Sequence, residues 1–134
     1  MDLALAQRVV SAAVAHAETI GVRVSISVAD ARGNEVLTAR MDDAFFFTPH
    51  IARTKARTAA TLDMDTLEVT GLNDAHPGLL ALIDEQVGFT PTILGGGVVV
   101  RDGDVVLGAV AGSGATPEQD AECARAGAAV WLGA

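Results

Sequence analysis

Residues 95–114 read GGGVVVRDGDVVLGAVAGSG, and this stretch decides the predicted fold. Two apolar segments, 98–101 and 104–111, lie on either side of the pair Asp102-Gly103. An Asp-Gly pair between β-branched runs is a strong short-range signal for a β-hairpin, because both residues tolerate the positive φ of a tight turn. We therefore expect two adjacent antiparallel strands in this region.

Glycine clusters bound this hairpin on both sides, as Gly95-Gly96-Gly97 and as Gly112-Ser113-Gly114. Glycine permits positive φ and lets the backbone approach a ligand closely. The segment Thr116-Pro117-Glu118-Gln119 carries a capping-box pattern, so a helix should begin there and present the positive end of its dipole to an anion such as a carboxylate. These features predict a small-molecule site whose binding residues are Gly95, Gly96, Gly97, Gly112, Ser113 and Gly114.

Hydrophobic periodicity predicts the other elements. Their expected bounds are helix 2–20, strands 22–28 and 35–41, helix 48–62, short helices 66–71 and 77–88, strands 92–94, 98–101 and 104–111, and a last helix from 116 to 131. The order α-β-β-α-(α)-β-β-β-α indicates one α/β (α+β) domain over residues 1–134. Its centre should be a five-stranded antiparallel sheet covered by helices.

The composition narrows the classes of function. The chain carries 9 Lys and Arg against 17 Asp and Glu, a net charge of −8, which argues against broad binding to nucleic acid or to anionic membranes. Half of the residues are hydrophobic, which is enough for one ordinary core. Cys123 is the only cysteine, no apolar run approaches the roughly 20 residues of a membrane span, and no signal-peptide pattern is seen, so we expect a cytoplasmic protein.

Short motifs in a fixed order run through almost the whole chain. They are Ser27-Val28-Ala29-Asp30 with Gly33-Asn34, Arg40-Met41-Asp42-Asp43-Ala44, the segment 51–59 (IARTKARTA), the two glycine clusters, Gly108-Ala109-Val110 and Asp120. Together they resemble the GlcG/HbpS-like family, which includes the C-terminal domain of PduO-type proteins. The resemblance implies a compact α/β domain with a central antiparallel sheet, usually assembled into homo-oligomers. It also implies a small-molecule ligand, which is haem in some members, and it implies no single reaction.

His16 is the candidate ligand for a haem iron. Haem-binding relatives use a histidine on or near the first helix as an axial ligand, and by this resemblance His16 is a match. Imidazole is a suitable iron ligand, and the neighbouring Leu5, Val9 and Ala12 could flank a porphyrin. The alternative is a histidine at the surface or at a subunit interface. A zinc site is not indicated, because three scattered histidines and one cysteine lack the close spacing of its ligands.

Aromatic and basic residues are the other candidates for ligand binding. Phe45 and Phe47 could wall a pocket. Arg53 and Arg57 are one helical turn apart, so they share a face on which they could bind a carboxylate or a phosphate. Lys55, between them, is expected to point elsewhere. The alternative for all three basic residues is a solvated helix face.

Acidic and imidazole side chains are the candidates for proton transfer. Asp30, Asp42 and His50 could act as general acids or bases if they were buried and close to a bound substrate. The alternative role for Asp30 is to support the turn of the first hairpin, and His50 is adjacent to a proline, as loop and helix-start residues often are.

Three functions therefore stay open. The first is a cytoplasmic, oligomeric protein that binds a small organic ligand, with haem or another tetrapyrrole as the first specific candidate. The second is an enzyme, such as an isomerase, lyase or hydrolase, acting on a small oxygenated or carboxylated metabolite that Arg53 or Arg57 would orient. The third is a non-catalytic module for assembly, because the first helix has apolar residues on two sides.

Overall fold

The computed structural model describes all 134 residues and contains nine regular elements. Five are helices and four are strands, and the predicted short helices are both present. Their bounds are α1 Leu3–Ile20, β1 Ser25–Asp30, β2 Glu35–Arg40, α2 Thr48–Leu62, α3 Thr66–Ala75, α4 Leu79–Val87, β3 Gly97–Asp102, β4 Val105–Ser113 and α5 Pro117–Leu132.

The strands form one antiparallel sheet in the order β2-β1-β4-β3. Two hairpins, β1–β2 and β3–β4, are joined along β1 and β4, whose register places Ser25 opposite Ser113 and Asp30 opposite Gly108. The predicted class of fold, a single domain with a central antiparallel sheet covered by helices, is confirmed. The predicted number of strands is wrong, because the sheet has four strands and not five.

The missing strand is the predicted segment 92–94. Its backbone bonds to side chains and not to a neighbouring strand: the Thr92 amide donates to the Thr58 hydroxyl at 3.1 Å, and the Ile93 carbonyl accepts from the Thr70 hydroxyl at 2.9 Å. Pro91 before it and Gly95 after it further disfavour a regular ladder. The segment is therefore an extended connection held against α2 and α3.

Helices cover both faces of the sheet. On one face α1 and α5 pack on Val24, Ile26, Val28 and Val110, and on the other face α2 packs on alanines at positions 29, 109 and 111. The two sets alternate along β1 and β4 because successive side chains of a strand point to opposite faces. The alanine-lined face lets the backbone of α2 lie close to the sheet, and this closeness positions the site described below.

The helix ends follow the sequence signals. The Asp2 side chain accepts from the Leu5 amide at the start of α1, and Gly21 ends this helix in the left-handed conformation with φ 74°. At the start of α5 the predicted capping box is present between Thr116 and Gln119. None of the helices combines the length with the hydropathy required to cross a lipid bilayer.

The edge strand β3 is covered by side chains from the start of α3. The Gly97 amide donates to the Thr66 hydroxyl at 2.8 Å, and the Val99 amide donates to the Asp65 carboxylate at 2.9 Å. These bonds occupy outward-facing amides that could otherwise pair with a foreign strand. They also fix the position of the glycine cluster that leads into β3.

Candidate functional site

A cavity of about 300 Å³ lies where the start of α2, the end of β4 and the start of α5 meet. We call it the aromatic pocket. It brings together five of the predicted binding residues, Phe45, Phe47, Gly95, Ser113 and Gly114. The complete lining is Phe45, Phe47, Thr48, Ile51, Lys55, Leu94, Gly95, Ser113, Gly114, Ala115, Pro117 and Asp120.

Phe45 and Phe47 form the outer wall of this pocket, and Phe46 lies between them in the chain without lining it. The rings of Phe45 and Phe47 stack with their centres 5.6 Å apart, and Phe46 meets Phe47 edge-on at 5.7 Å. All three are exposed, Phe46 by 83%. Thr48 holds the loop in place, since its hydroxyl donates to the Phe45 carbonyl and accepts from the Ser25 hydroxyl, both at 2.8 Å. Exposed aromatic rings over a cavity are a typical feature of a surface that meets a ligand or a partner.

The floor of the pocket is a buried ion pair that the sequence analysis missed. Lys55 Nζ lies 3.0 Å from Asp120 Oδ2 and donates to the Gly112 carbonyl at 2.9 Å. The two charged side chains are only 4% and 3% exposed. The other carboxylate oxygen of Asp120 accepts from the Ala115 amide at 3.0 Å. The pair therefore joins α2, the end of β4 and the start of α5 through one charged contact.

Lys55 points away from Arg53 and Arg57, as expected, but the alternative of a solvated helix face is wrong for this residue, because its side chain is buried. A signal for its burial was present in the sequence, because Lys55 lies in the same helical stripe as Ala52, Ala56 and Ala59, all of which are fully buried. Residues three and four positions apart share one face of a helix. A lysine inside an alanine stripe is a candidate for a buried cation.

The glycine clusters make room for this ion pair. A Cβ atom at Gly96 would lie 2.8 Å from Lys55 Nζ and equally close to Asp120 Cβ, and a Cβ at Gly112 would lie 2.8 Å from the Asp120 carbonyl oxygen. Gly97 has a similar restriction, because its Cβ would lie 2.7 Å from the Lys55 carbonyl oxygen. Gly96, Gly97 and Gly112 therefore lie behind the pocket and pack against its floor, whereas Gly95 and Gly114 line it.

The start of α5 is already occupied by the chain's own side chains. The Thr116 hydroxyl accepts from the Gln119 amide, and Asp120 accepts from the Ala115 amide. Glu118 and Asp120 add negative charge to the first turn. These side chains together accept hydrogen bonds from the Gln119 and Ala115 amides, and the negative charge of the two acidic groups offsets the positive end of the helix dipole. This helix start is therefore not the open anion site that its sequence predicts.

Arg53 and Arg57 line a different cavity, which is polar and has a volume of about 320 Å³. Arg53 forms an ion pair with Glu35, and the Arg57 guanidinium lies 4.2 Å from the centre of the Phe89 ring. Hydrogen bonds from Thr38, which has the larger effect, and from Arg53 hold the pKa of Glu35 below its usual value. The two arginines therefore share a face as predicted, but the structure does not bring them to the phenylalanines and glycines of the aromatic pocket.

The three candidates for proton transfer do not converge. Asp30 accepts hydrogen bonds from the amides of Arg32 and Asn34, both at 2.9 Å, in the turn between β1 and β2. Burial acts to raise its pKa, but the hydrogen bonds from Asn34 and Arg32 outweigh this effect and lower it, which makes Asp30 a weak base. Asp42 and His50 are exposed, and His50 Nδ1 lies 3.4 Å from Arg53 Nη1.

His16 lies outside every cavity of the structure. Its Nε2 atom is buried on α1, 3.0 Å from Glu122 Oε2 on α5, and makes no well-aligned hydrogen bond. The side chain as a whole is one-third exposed. No cluster of three or more His, Cys, Asp or Glu side chains is arranged to hold a metal ion. Cys123, next to Glu122, is buried, and burial raises the pKa of its thiol to about 11.

Comparison with known proteins agrees with the resemblance in the sequence. The family described as haem-degrading protein HbpS-like matches residues 1–129. An uncharacterised 15.0 kDa protein from the dhaT–dhaS intergenic region of Citrobacter freundii is 41% identical over 124 residues, which are 90% of this chain and 84% of that protein. HbpS of Streptomyces reticuli, solved as a double mutant, is 31% identical, with a TM-score of 0.86 over 97% of this chain and 86% of that chain. The solved complex of PduOC with haem is 28% identical, with a TM-score of 0.84 over 97% of this chain and 94% of that chain. The match of one family over nearly the full length shows that this chain belongs to the HbpS-like family.

Proposed function

We propose that this protein binds a small organic molecule in the aromatic pocket. The observation that carries the proposal is a cavity with exposed aromatic rings at its mouth and a buried, internally paired Lys55–Asp120 contact at its floor. Ligand sites in proteins are concave and mainly apolar, with a few placed polar groups. The predicted binding residues Phe45, Phe47 and Gly114 belong to this lining.

Haem or another tetrapyrrole is the first specific candidate. The family is described as haem degrading, and PduOC has been solved as a haem complex. The pocket lining offers an apolar surface for a porphyrin, but it contains no His, Cys, Met or Tyr, which are the usual protein ligands of haem iron. His16 is the predicted ligand, and it lies outside the pocket beside Glu122. The residues present therefore fit the apolar part of a tetrapyrrole and not its iron.

A titration with haemin and with iron-free protoporphyrin tests this function. Replacing Phe45 and Phe47 together with serine should weaken binding of either porphyrin by about tenfold or more, because it removes the aromatic wall. Phe46→Ser is the matched control, since Phe46 is exposed and does not line the pocket. The measurements are the shifted Soret band for haemin and fluorescence for protoporphyrin.

The same titration with His16→Ala separates the two possible sites. If the pocket holds the porphyrin, His16→Ala should bind as the wild type does. A Soret shift that is lost in His16→Ala and kept in the Phe45→Ser, Phe47→Ser variant would instead place haem at His16, beside α5, and contradict the proposed pocket.

We further infer that the protein forms homo-oligomers and acts in the cytoplasm. Phe45, Phe46 and Phe47 are consecutive and all exposed, and a contiguous exposed apolar patch is typical of a surface that another protein chain covers. Light scattering should give a multiple of the 13.7 kDa chain mass, and a monomer at micromolar concentration would contradict this inference. The same patch supports the alternative of a non-catalytic assembly module, which a failure to bind any small molecule would favour.

The alternative of an enzyme on a carboxylated metabolite has less support. It requires a free arginine beside a base, but Arg53 is paired with Glu35 and the Asp30 carboxylate is held by the turn. Arg57 is the remaining basic group, and it lies in the polar cavity without a carboxylate partner. Binding of a small dicarboxylate that is lost in Arg57→Leu would revive this alternative.

A further inference from the structure

We propose that Lys55 selects the ligand of the aromatic pocket and that this ligand is uncharged, mainly apolar, and carries one oxygen that accepts a hydrogen bond. Ketones, amides, esters and alcohols belong to this class. The inference rests on the proposed function, because it assumes that the aromatic pocket is the binding site. It adds the chemical class of the ligand and the residue that recognises it. The inference departs from the tetrapyrrole candidate, since a porphyrin carries two carboxylates, and tight binding of protoporphyrin in this pocket would therefore count against it.

Lys55 has one hydrogen-bond donor left over. An ammonium group carries three N–H donors, and Lys55 Nζ uses two of them, for the Gly112 carbonyl at 2.9 Å and for Asp120 Oδ2 at 3.0 Å. It makes no third hydrogen bond within the protein, and its side chain is 4% exposed. Since buried donors are normally satisfied and Lys55 lines the pocket, an oxygen of a bound ligand can fill the remaining position.

The charge of the pocket favours a neutral oxygen over a carboxylate. Lys55 and Asp120 are the only charged side chains of the lining, and their charges cancel. A carboxylate placed on the free donor of Lys55 would lie close to the carboxylate of Asp120, and it would have to leave water without a second cation to compensate it. A carbonyl or hydroxyl oxygen loses much less hydration, and it would still gain a hydrogen bond from a charged donor.

The dimensions of the pocket favour a small ligand. Its volume of about 300 Å³ is at the lower end of the range for ligand sites, which is roughly 300–1,000 Å³. The large apolar side chains of the lining are Phe45, Phe47, Ile51 and Leu94. A molecule with one polar end and an apolar body would therefore bind with its oxygen on Lys55 and its body under the aromatic wall.

Three probes of equal size test this assignment. Acetophenone has a carbonyl oxygen, α-methylstyrene has a methylene group in its place, and benzoate has a carboxylate. Their dissociation constants would be measured by amide NMR titration, which also shows whether the amides of Gly114 and Ala115 respond. The comparison variant is Lys55→Met with Asp120→Asn, which removes the ion pair without leaving a buried unpaired charge and keeps an acceptor for the Ala115 amide.

The decisive quantity is the preference for acetophenone over α-methylstyrene. Because the two probes differ in hydrophobicity, the preference is compared between proteins, and we expect it to be about five- to tenfold greater in the wild type than in the double variant. Benzoate should bind the wild type more weakly than acetophenone. An equal preference in both proteins, or tighter binding of benzoate, would overturn the role of Lys55 while leaving the pocket in place. If no probe shifts the pocket amides, the proposed binding site itself is wrong.

Discussion

Replacing Lys55 with methionine is expected to lower the free energy of unfolding by about 3–5 kcal/mol, because it leaves a buried carboxylate without its cation. Asp120 is 3% exposed, and its Oδ2 atom has Lys55 as its only hydrogen-bond donor. Without Lys55, this oxygen has no hydrogen-bond donor within the protein. The measurement is urea unfolding followed by circular dichroism.

The double variant Lys55→Met, Asp120→Asn is the control for this prediction. Replacing a buried ion pair by neutral groups is often close to neutral for stability, so the double variant should lie within about 2 kcal/mol of the wild type. A double-mutant cycle should therefore show a large coupling energy, because losing the lysine costs much less stability once the carboxylate has also been removed. If the single variant is as stable as the double variant, the carboxylate is not buried as described.

Replacing Gly96 with alanine is expected to destabilise the fold by about 3 kcal/mol or more, because backbone strain and steric overlap add together. Gly96 has φ 125°, a conformation that residues with a side chain rarely adopt. Its added Cβ would also lie 2.8 Å from three atoms, the Gly112 carbonyl oxygen, Asp120 Cβ and Lys55 Nζ. Thermal unfolding measures the effect, and the loss of the ion pair should weaken ligand binding as well.

Gly103 offers a matched control for Gly96. It also has a positive φ, 60°, but an added Cβ would have no atom within 4 Å. Gly103→Ala should therefore show only the cost of the left-handed conformation, about 1–2 kcal/mol. If the two alanine variants are equally stable, the crowding around Lys55 and Asp120 does not constrain residue 96.

Local sequence signals predicted most of the regular elements of this protein. The capping box at Thr116, the tight turn after Asp102 and the end of the first helix at Gly21 all depend on contacts between residues close in sequence. The false strand at 92–94 had the correct residue types, but its backbone groups bond to Thr58 and Thr70. Which groups a segment bonds to depends on what is packed beside it, and a window of sequence does not contain this information.

The residues of the candidate site also divide into those that the sequence identified and those that only the structure placed. Phe45, Phe47 and the glycine clusters were identified from the sequence, and the structure places Phe45, Phe47, Gly95, Ser113 and Gly114 on one cavity. Arg53 and Arg57 were also candidates for ligand binding, but the direction of α2 across the sheet carries them to a separate cavity. Only the packing of α2 against the sheet decides which of its faces meets the glycines.

The sequence by itself therefore determined the class of fold, the family and every element except the false strand at 92–94, because hydrophobic periodicity, turn residues and caps act over a few neighbouring positions. The tertiary structure alone decided the chemistry of the pocket. Lys55 and Asp120 are separated by 65 positions in the chain and meet at 3.0 Å, and they do so because Gly96 and Gly112 leave space for them. Whether a lysine is a solvated surface charge or a buried donor depends on burial, and burial is a property of the folded chain as a whole.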